Sequence, residues 1–171
     1  MAERSPHIDL RALDLRPGDV HREQVPVSFE PLRLGGQSYE ARPARVRAAL
    51  EVQAASGGTY LKLAFATSVC GPCYRCLEEA CAPVRVQTTE YGGSGADADE
   101  QLASDYLEDR SLDVGRWAHE ALVLALPPKL LCSPDCAGLC SRCGERLQAG
   151  VEHACGEPEL DPRWAKLQDL F

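Results

Sequence analysis

The side chains best suited to chemistry in this sequence are cysteines that stand in closely spaced pairs. Of the nine cysteines in 171 residues, four fall within the segment 132–143: Cys132, Cys136, Cys140 and Cys143. Structural zinc sites use four such donors in a tetrahedron, and C-x2–4-C pairs supply them because the short gap lets both thiolates reach one ion. Gly144 follows the last cysteine and suits the tight turn around a metal. The alternative, four small buried apolar side chains, explains the spacing less well.

Four further donors extend this set along the chain: Cys73, Cys76, His153 and Cys155. One grouping gives two sites, the first from Cys140, Cys143, His153 and Cys155, and the second from Cys73, Cys76, Cys132 and Cys136. The second site would join the N-terminal half of the chain to its C-terminal half. The rival grouping makes one site from Cys132, Cys136, Cys140 and Cys143. The sequence leaves both groupings open and predicts one or two structural Zn²⁺ ions.

One cysteine pair suggests redox chemistry instead of metal binding. Cys70-Gly-Pro-Cys73 has the spelling of a thioredoxin-like motif, so a thiol-disulfide oxidoreductase is the alternative function. That motif belongs to a βαβ unit, and no such alternation surrounds it here. In the two-site grouping, Cys70 and Cys81 are spare thiols. His119-Glu120 does not complete H-E-x-x-H, because position 123 is valine. We predict no catalytic and no cofactor-binding residues.

Hydrophobic periodicity predicts the elements that position the first cysteine cluster. Apolar and polar residues alternate over 45–52 and again over 60–67, and a glycine-containing turn at 56–58 separates them. Such a pattern indicates an antiparallel hairpin. A third strand is expected over 84–89, and residues 25–29 read as a short edge strand because Pro26 interrupts them. The first cysteine cluster lies between the hairpin and the third strand.

The period changes to that of a helix in the second half of the chain. Apolar residues recur at helical spacing: Val114, Trp117, Ala118, Ala121, Leu122 and Ala125. Ser111 or Asp113 can cap this helix, and Pro127-Pro128 ends it. Asp161-Pro162 starts a short terminal helix. The fold class is therefore α+β: a small antiparallel sheet, an amphipathic helix, a Cys-rich zinc-binding turn and a short C-terminal helix.

The domain organisation and the charge distribution also follow from the sequence. We expect one domain over 1–171, with 1–91 mainly β, 92–110 an acidic flexible linker, and 111–171 the helix, the Cys-rich module and the terminal helix. The net charge of −8 lies entirely in residues 91–171, which argues against unassisted coating of nucleic acid. No apolar run approaches the roughly 20 residues of a membrane helix. No secretory signal is seen, so a soluble cytoplasmic protein is expected.

Several motifs taken together resemble a known family, and the resemblance covers nearly the whole chain. In order they are Asp9-Leu10 with Arg16-Pro17-Gly18, Cys73-x-x-Cys76-Leu77, Leu122-Val-Leu-Ala-Leu126-Pro127, the block from Cys132 to Gly144, and Asp161-Pro162-Arg163 with Leu167 and Leu170. The chain is thereby similar to the large ribosomal RNA subunit accumulation protein family, also called YceD. It departs from the family pattern at His153-x-Cys155, where other members show a second C-x-C. Some members lack most of the cysteines, which implies that the metal is not essential to the shared role.

The resemblance implies a cytosolic, non-enzymatic factor needed for accumulation of 23S rRNA, with no catalytic residues. The partner would be large-subunit rRNA or a basic large-subunit ribosomal protein, with no membrane and no small-molecule substrate. The acidic run 97–113 favours a basic protein as the contact of that half. Four arginines of the neutral half are candidates for RNA contacts: Arg42, Arg45, Arg47 and Arg75.

Overall fold

Within the described residues the structure is mainly antiparallel sheet with one helix, which confirms the predicted sheet and the amphipathic helix. The computed structural model describes residues 6–93 and 104–155. Their elements are β1 (His7–Asp9), β2 (Val20–Ser28), β3 (Leu32–Leu34), β4 (Gln37–Arg42), β5 (Arg45–Ala55), β6 (Gly58–Pro72), β7 (Glu79–Gly93), β8 (Leu107–Glu108), β9 (Ser111–Asp113) and α1 (Val114–Leu124). The predicted terminal helix over 161–171 lies outside the described residues and stays a prediction.

Strands β6 and β7 are the longest and form the centre of the main sheet. They pair in antiparallel fashion along their full length, from Gly58 opposite Gly93 to Pro72 opposite Glu79. The other edge of β6 pairs with β5 and then with β4, while β2 pairs with β5 and β3 pairs with β4. This order places β2 at an edge, where Pro26 is tolerated because it has no N–H to donate. The predicted edge strand and hairpin are thus present and longer than predicted.

Alternation along the strands gives the main sheet one buried face and one exposed face. Val46, Ala48, Leu50 and Val52 of β5 are buried, whereas Arg45 and Arg47 between and beside them are exposed. We call the exposed side the open face. It consists of alternate residues of four strands, namely 20, 22, 24, 26 and 28 of β2, 45, 47, 49, 51 and 53 of β5, 60, 62, 64, 66 and 68 of β6, and 83, 85, 87, 89 and 91 of β7.

Helix α1 and a three-stranded sheet of β1, β9 and β8 cover the buried face. Five residues of the predicted apolar stripe are buried in the core: Val114, Trp117, Ala118, Ala121 and Leu122. The Asp113 carboxylate accepts the backbone N–H of Arg116 at 2.9 Å, which fixes the start of the helix as predicted. The Trp117 ring stacks on Tyr106 with 6.0 Å between centroids, which anchors residues 104–113 to the helix.

Three parts of the chain differ from the predicted elements. The β3–β4 hairpin, which turns at Gly35-Gly36, was not among the predicted strands. The segment 92–110 begins with the end of β7 and contains β8, while residues 94–103 lie outside the described residues. Strand β6 continues to Pro72, so the first cysteine cluster occupies the turn into β7. None of the helices within the described ranges has the length and apolar character that a bilayer crossing needs.

Candidate metal centres

The first C-x-x-C pair lies in the tight turn between β6 and β7. The Cys73 N–H donates to the carbonyl of Glu78 at 2.7 Å, and the Leu77 N–H donates to the carbonyl of Cys73 at 3.0 Å. Leu77 has a φ of 64°, the left-handed conformation that closes the turn. The Arg75 N–H points at the Cys73 Sγ at 3.5 Å. This backbone arrangement turns the thiols of Cys73 and Cys76 towards the same point.

The loop after α1 brings a second pair of cysteines to that point. Cys132 Sγ lies 3.6 Å from Cys76 Sγ, and Cys136 Sγ lies 3.8 Å from Cys73 Sγ. All four sulfur atoms lie within 4.8 Å of one another. A tetrahedral ion with metal–sulfur bonds of about 2.3 Å places its ligands about 3.8 Å apart, so these separations fit one metal ion. We call this group the sheet tetrad.

The sheet tetrad is buried in a small apolar cluster of its own. Cys73, Cys76 and Cys136 are 0%, 4% and 6% exposed, and Ala80 and Leu130 pack beside them. The Tyr74 N–H donates to the Leu130 carbonyl at 2.7 Å. These contacts join the β6–β7 turn to the segment that follows α1, so the tetrad connects parts of the chain about 60 residues apart in sequence.

The second C-x-x-C pair, Cys140 and Cys143, repeats the backbone pattern of the first. The Cys140 N–H donates to the Glu145 carbonyl at 2.8 Å, and the Gly144 N–H donates to the Cys140 carbonyl at 2.9 Å. The Arg142 N–H points at the Cys140 Sγ at 3.4 Å. Gly144, with a φ of 74°, takes the place that Leu77 has in the first turn. Two separate segments of the chain therefore form the same type of turn, and each turn could offer two thiols to a metal ion.

His153 and Cys155 complete a second set of donors around this turn. Cys155 Sγ lies 3.7 Å from Cys140 Sγ, and His153 Nε2 lies 3.2 Å from Cys143 Sγ. The four ligand atoms lie within 4.8 Å of one another, and Cys143 is exposed while the other three are partly buried. His153 Nδ1, on the other side of the ring, lies 3.9 Å from a carboxylate oxygen of Glu145, beyond hydrogen-bond distance. We call this group the tail tetrad.

The surroundings favour a thiolate at one cysteine of each tetrad. Burial opposes ionisation of Cys73, but backbone N–H groups of Cys76, Arg75 and Cys132 outweigh it and lower the pKa of Cys73 to about 6. Backbone N–H groups of Cys143 and Arg142 lower the pKa of Cys140 to about 6. The thiolate is the form that binds metal. Each turn therefore prepares its first cysteine as a ligand.

The structure brings together both sets of the two-site grouping: Cys73, Cys76, Cys132 and Cys136, and separately Cys140, Cys143, His153 and Cys155. The rival site from the four cysteines of 132–143 is not formed, because Cys132 and Cys136 face the β6–β7 turn while Cys140 and Cys143 face His153 and Cys155. The reason lies in Gly138, whose φ of 85° turns the chain between the two pairs beside the Arg75 carbonyl.

The interpretation of Cys70 and Cys81 as spare thiols is wrong. These residues stand opposite each other on β6 and β7 and form a disulfide on the exposed side of the sheet. The sequence gives no sign of this pairing, because cross-strand neighbours are set by the register of the hairpin. The Cys70 thiol that the oxidoreductase alternative needs faces Cys81, whereas Cys73 faces the sheet tetrad. The Cys70-x-x-Cys73 pair therefore does not form the dithiol of a thioredoxin-like site.

The four candidate arginines fall into different roles. Arg75 donates through Nη1 to the Cys136 carbonyl at 2.7 Å, so it helps to hold the sheet tetrad together. Arg42 forms an ion pair with Glu79 at 2.7 Å and lies 3.7 Å from Glu40. Arg45 and Arg47 lie on the open face. Sequence reasoning did not find the structural role of Arg75, although its position inside the C-x-x-C turn was a signal.

Comparison with known proteins gives a family and distant relatives. The family model described as "Large ribosomal RNA subunit accumulation protein YceD" matches residues 61–171. An uncharacterized protein of Mycobacterium tuberculosis and one of Mycobacterium bovis are each 31% identical over 169 residues, 96% of this chain and 80% of the relative. An uncharacterized protein of Mycobacterium leprae is 31% identical over 104 residues, 58% of this chain and 46% of the relative. No solved structure matches the chain.

Proposed function

Because this chain belongs to the large ribosomal RNA subunit accumulation protein YceD family, we propose that it supports large-subunit assembly as a non-enzymatic factor. In this proposal it promotes accumulation of 23S rRNA by binding to the assembling subunit in the cytoplasm. The contact is with rRNA or with a basic large-subunit ribosomal protein. Membranes and small-molecule substrates have no part in it. The family description supports the proposal, since it names accumulation of an RNA and no reaction.

The observation that carries the non-enzymatic part is the composition of the two tetrads. Four cysteines, or three cysteines and one histidine, are the donor sets of closed structural zinc sites, whereas catalytic zinc keeps one position open for water or substrate. The close approach of the four donors in each tetrad fits such closed sites. We propose that each tetrad holds one Zn²⁺ ion, so the chain carries two.

Bound zinc would act here as a cross-link. Cys73 and Cys76 of the sheet and Cys132 and Cys136 of the following segment would hold one ion, with Arg75 supporting the junction through the Cys136 carbonyl. Cys140, Cys143, His153 and Cys155 would hold the other and order the segment 139–155. Metal binding contributes to folding free energy because the unfolded chain has no preformed site. The role of zinc is thus to fix the shape of one domain over 1–171.

The binding proposal is tested by sedimentation of the protein from cells growing with intact ribosome assembly. We expect an epitope-tagged full chain to migrate in sucrose gradients with precursors of the large subunit. The variant with Cys70→Ser and Cys81→Ser, which leaves both tetrads intact, is expected to migrate in the same way. Recovery of the wild-type chain only at the top of the gradient, under conditions that preserve precursors, would contradict an assembly role.

A further inference from the structure

The open face of the main sheet is strongly basic in an otherwise acidic protein. Its twenty alternate positions carry five basic side chains and one acidic one, Glu51. The basic side chains are Arg22, Arg45, Arg47, Lys62 and Arg85. The chain as a whole has a net charge of −8. This concentration of one sign on one face indicates a partner of opposite charge.

The one acidic side chain is already paired within the protein. Glu51 accepts from Arg22 Nε at 2.6 Å and from Lys62 Nζ at 3.0 Å, and these two bonds lower the pKa of its carboxyl group. Arg47 and Arg85 are exposed and make no ion pair with any residue of 6–93 or 104–155. Two guanidinium groups of the open face therefore remain available to phosphate oxygens, which they recognise well.

The middle of the open face is a shallow groove with a floor of small side chains. Ala49 of β5 stands opposite Ala64 of β6, and these residues line a depression of about 380 Å³. Two basic side chains, Arg22 and Lys62, and two acidic ones, Glu23 and Glu51, also line it. Small residues at the centre let an extended chain approach the sheet closely. The polar and charged side chains stand at the sides of the groove, where they can reach a bound backbone.

An aromatic pair stands at one end of this groove. Tyr60 and Tyr91 are cross-strand neighbours on β6 and β7, with ring centroids 4.7 Å apart and an interplanar angle of 49°. Tyr60 is 46% exposed, so part of its ring remains accessible to a further stacking partner. A face with exposed guanidinium groups and an exposed aromatic ring is the combination by which proteins bind single-stranded nucleic acid, because the bases stack while the backbone is neutralised.

Acidic groups of the described part of the molecule lie beside the open face and, in a larger cluster, beside α1. Glu23 lines the groove, and Glu40 and Glu79 lie next to the open face, where they pair with Arg42. Asp105, Glu108, Asp109 and Asp113 surround a depression beside α1, in the layer that covers the buried face. A polyanion would be repelled from that layer and attracted to the open face, so the charge distribution sets the orientation of binding.

We propose that the open face binds a single-stranded segment of RNA. Arg47 and Arg85 contact the phosphates, and a base stacks on Tyr60. The inference rests on the proposed function and deepens it, because it assigns RNA as the partner and gives the surface. A basic ribosomal protein does not fit this face, since like charges would meet.

The test is binding of the full-length, zinc-loaded protein to a fluorescent single-stranded oligoribonucleotide, measured by anisotropy at several salt concentrations. Arg47→Glu with Arg85→Glu is expected to weaken binding at least about tenfold and to reduce the slope of log K against log salt by roughly 1.4, the value for two phosphate contacts. Tyr60→Ala is expected to weaken binding about tenfold, and Tyr60→Phe is expected to preserve it.

The matched control is Arg11→Glu with Arg110→Glu, which changes the net charge equally in the layer of β1, β8 and β9. Equal loss in both double variants, with circular dichroism showing that both are folded, would overturn the open face as the site. Crosslinking of the gradient-associated protein to a ribosomal protein and not to RNA would also overturn it. Neither result contradicts the proposed function, because that function is tested separately, by sedimentation with precursors of the large subunit and by 23S rRNA levels.

Discussion

Two turns in this chain, 73–78 and 140–145, have the same backbone conformation with different residues. In each turn the first cysteine N–H donates to a carbonyl five residues later, and the fifth residue adopts a positive φ. Glycine at 144 takes that conformation at little cost, whereas Leu77 takes it against the preference of a residue with a Cβ atom. The Leu77 side chain is itself 61% exposed, and the turn around it is held by backbone hydrogen bonds of Cys73 and Leu77 next to the buried tetrad.

The two groups of donor side chains predict the number of metal ions. We expect two zinc ions per full-length chain by native mass spectrometry, because the described residues contain two sets of four donors. Cys73→Ser and Cys140→Ser should each retain one ion, since each removes a ligand from a different tetrad. The control with Cys70→Ser and Cys81→Ser should retain both. A single ion in the wild type, lost in both ligand variants, would show that the tetrads are not independent sites.

The eight donors that the structure brings into two groups were all named from residue type and spacing, but their grouping could not be chosen from the sequence. Soft donors in C-x-x-C pairs are visible in any sequence. The grouping depends on the β6–β7 register and on the turn at Gly138, which are tertiary features. The disulfide between Cys70 and Cys81 was missed for the same reason, because eleven residues of separation do not reveal that two positions face each other across a hairpin.

Among the elements, the helix was the most predictable and its N-cap is its most testable feature. Replacing Asp113 by Ala should lower the free energy of unfolding of the zinc-loaded protein by about 1 kcal/mol, because the Arg116 N–H loses its acceptor. Urea unfolding followed by circular dichroism measures this difference. Asp113→Asn keeps an acceptor at the cap and serves as the control. Equal stability of the alanine variant and the wild type would show that the cap contributes nothing.

The strands were predictable where one face is buried and the other is in solvent. Alternation located β5, β6 and β7, and β6 and β7 proved to extend to 15 residues each because they pair with each other beyond the clear pattern. The β3–β4 hairpin was not predictable, since β3 has only three residues and only Leu32 of β3 and Ala41 of β4 are buried. Short strands with few buried side chains leave little periodic signal.

For the whole molecule, the sheet tetrad is the junction between a neutral β-rich half and an acidic second half. The segment after α1 is joined to the sheet by the tetrad, by Arg75 and by the Tyr74–Leu130 hydrogen bond. Helix α1 and strands β8 and β9, in contrast, are held by the main hydrophobic core. We therefore expect the two parts of the second half to depend on bound metal to different extents.

Chelation tests this dependence. Removal of zinc under reducing conditions should raise backbone hydrogen exchange in 126–155, while β5 and α1 keep their protection because their contacts are apolar burial. Hydrogen-exchange mass spectrometry of the full chain with and without chelator gives the comparison, and re-addition of zinc is the control for reversibility. A uniform loss of protection across the sheet would contradict the expected difference between 126–155 and the core. Unchanged hydrogen exchange in 126–155 would contradict it as well.

The open face also belongs to the scale of the whole molecule, since Arg47 and Arg85 lie on the opposite side of the main sheet from the acidic cluster beside α1. In the proposed complex, RNA binds on one side of the sheet, and the acidic cluster beside α1 lies on the other side. The net charge of the sequence does not reveal this arrangement. The neutral N-terminal half contains the basic side chains of the open face together with acidic side chains that lie outside that face. The strand register was needed to show which arginines share a face.

The most direct measurement of the central claim is the ratio of 23S to 16S rRNA in cells depleted of this protein. The account predicts that the ratio falls on depletion and that the wild-type chain restores it. The variant with Arg11→Glu and Arg110→Glu should restore it as well, because it leaves the tetrads and the open face intact. A ratio that stays unchanged when the protein is removed would contradict a role in 23S rRNA accumulation.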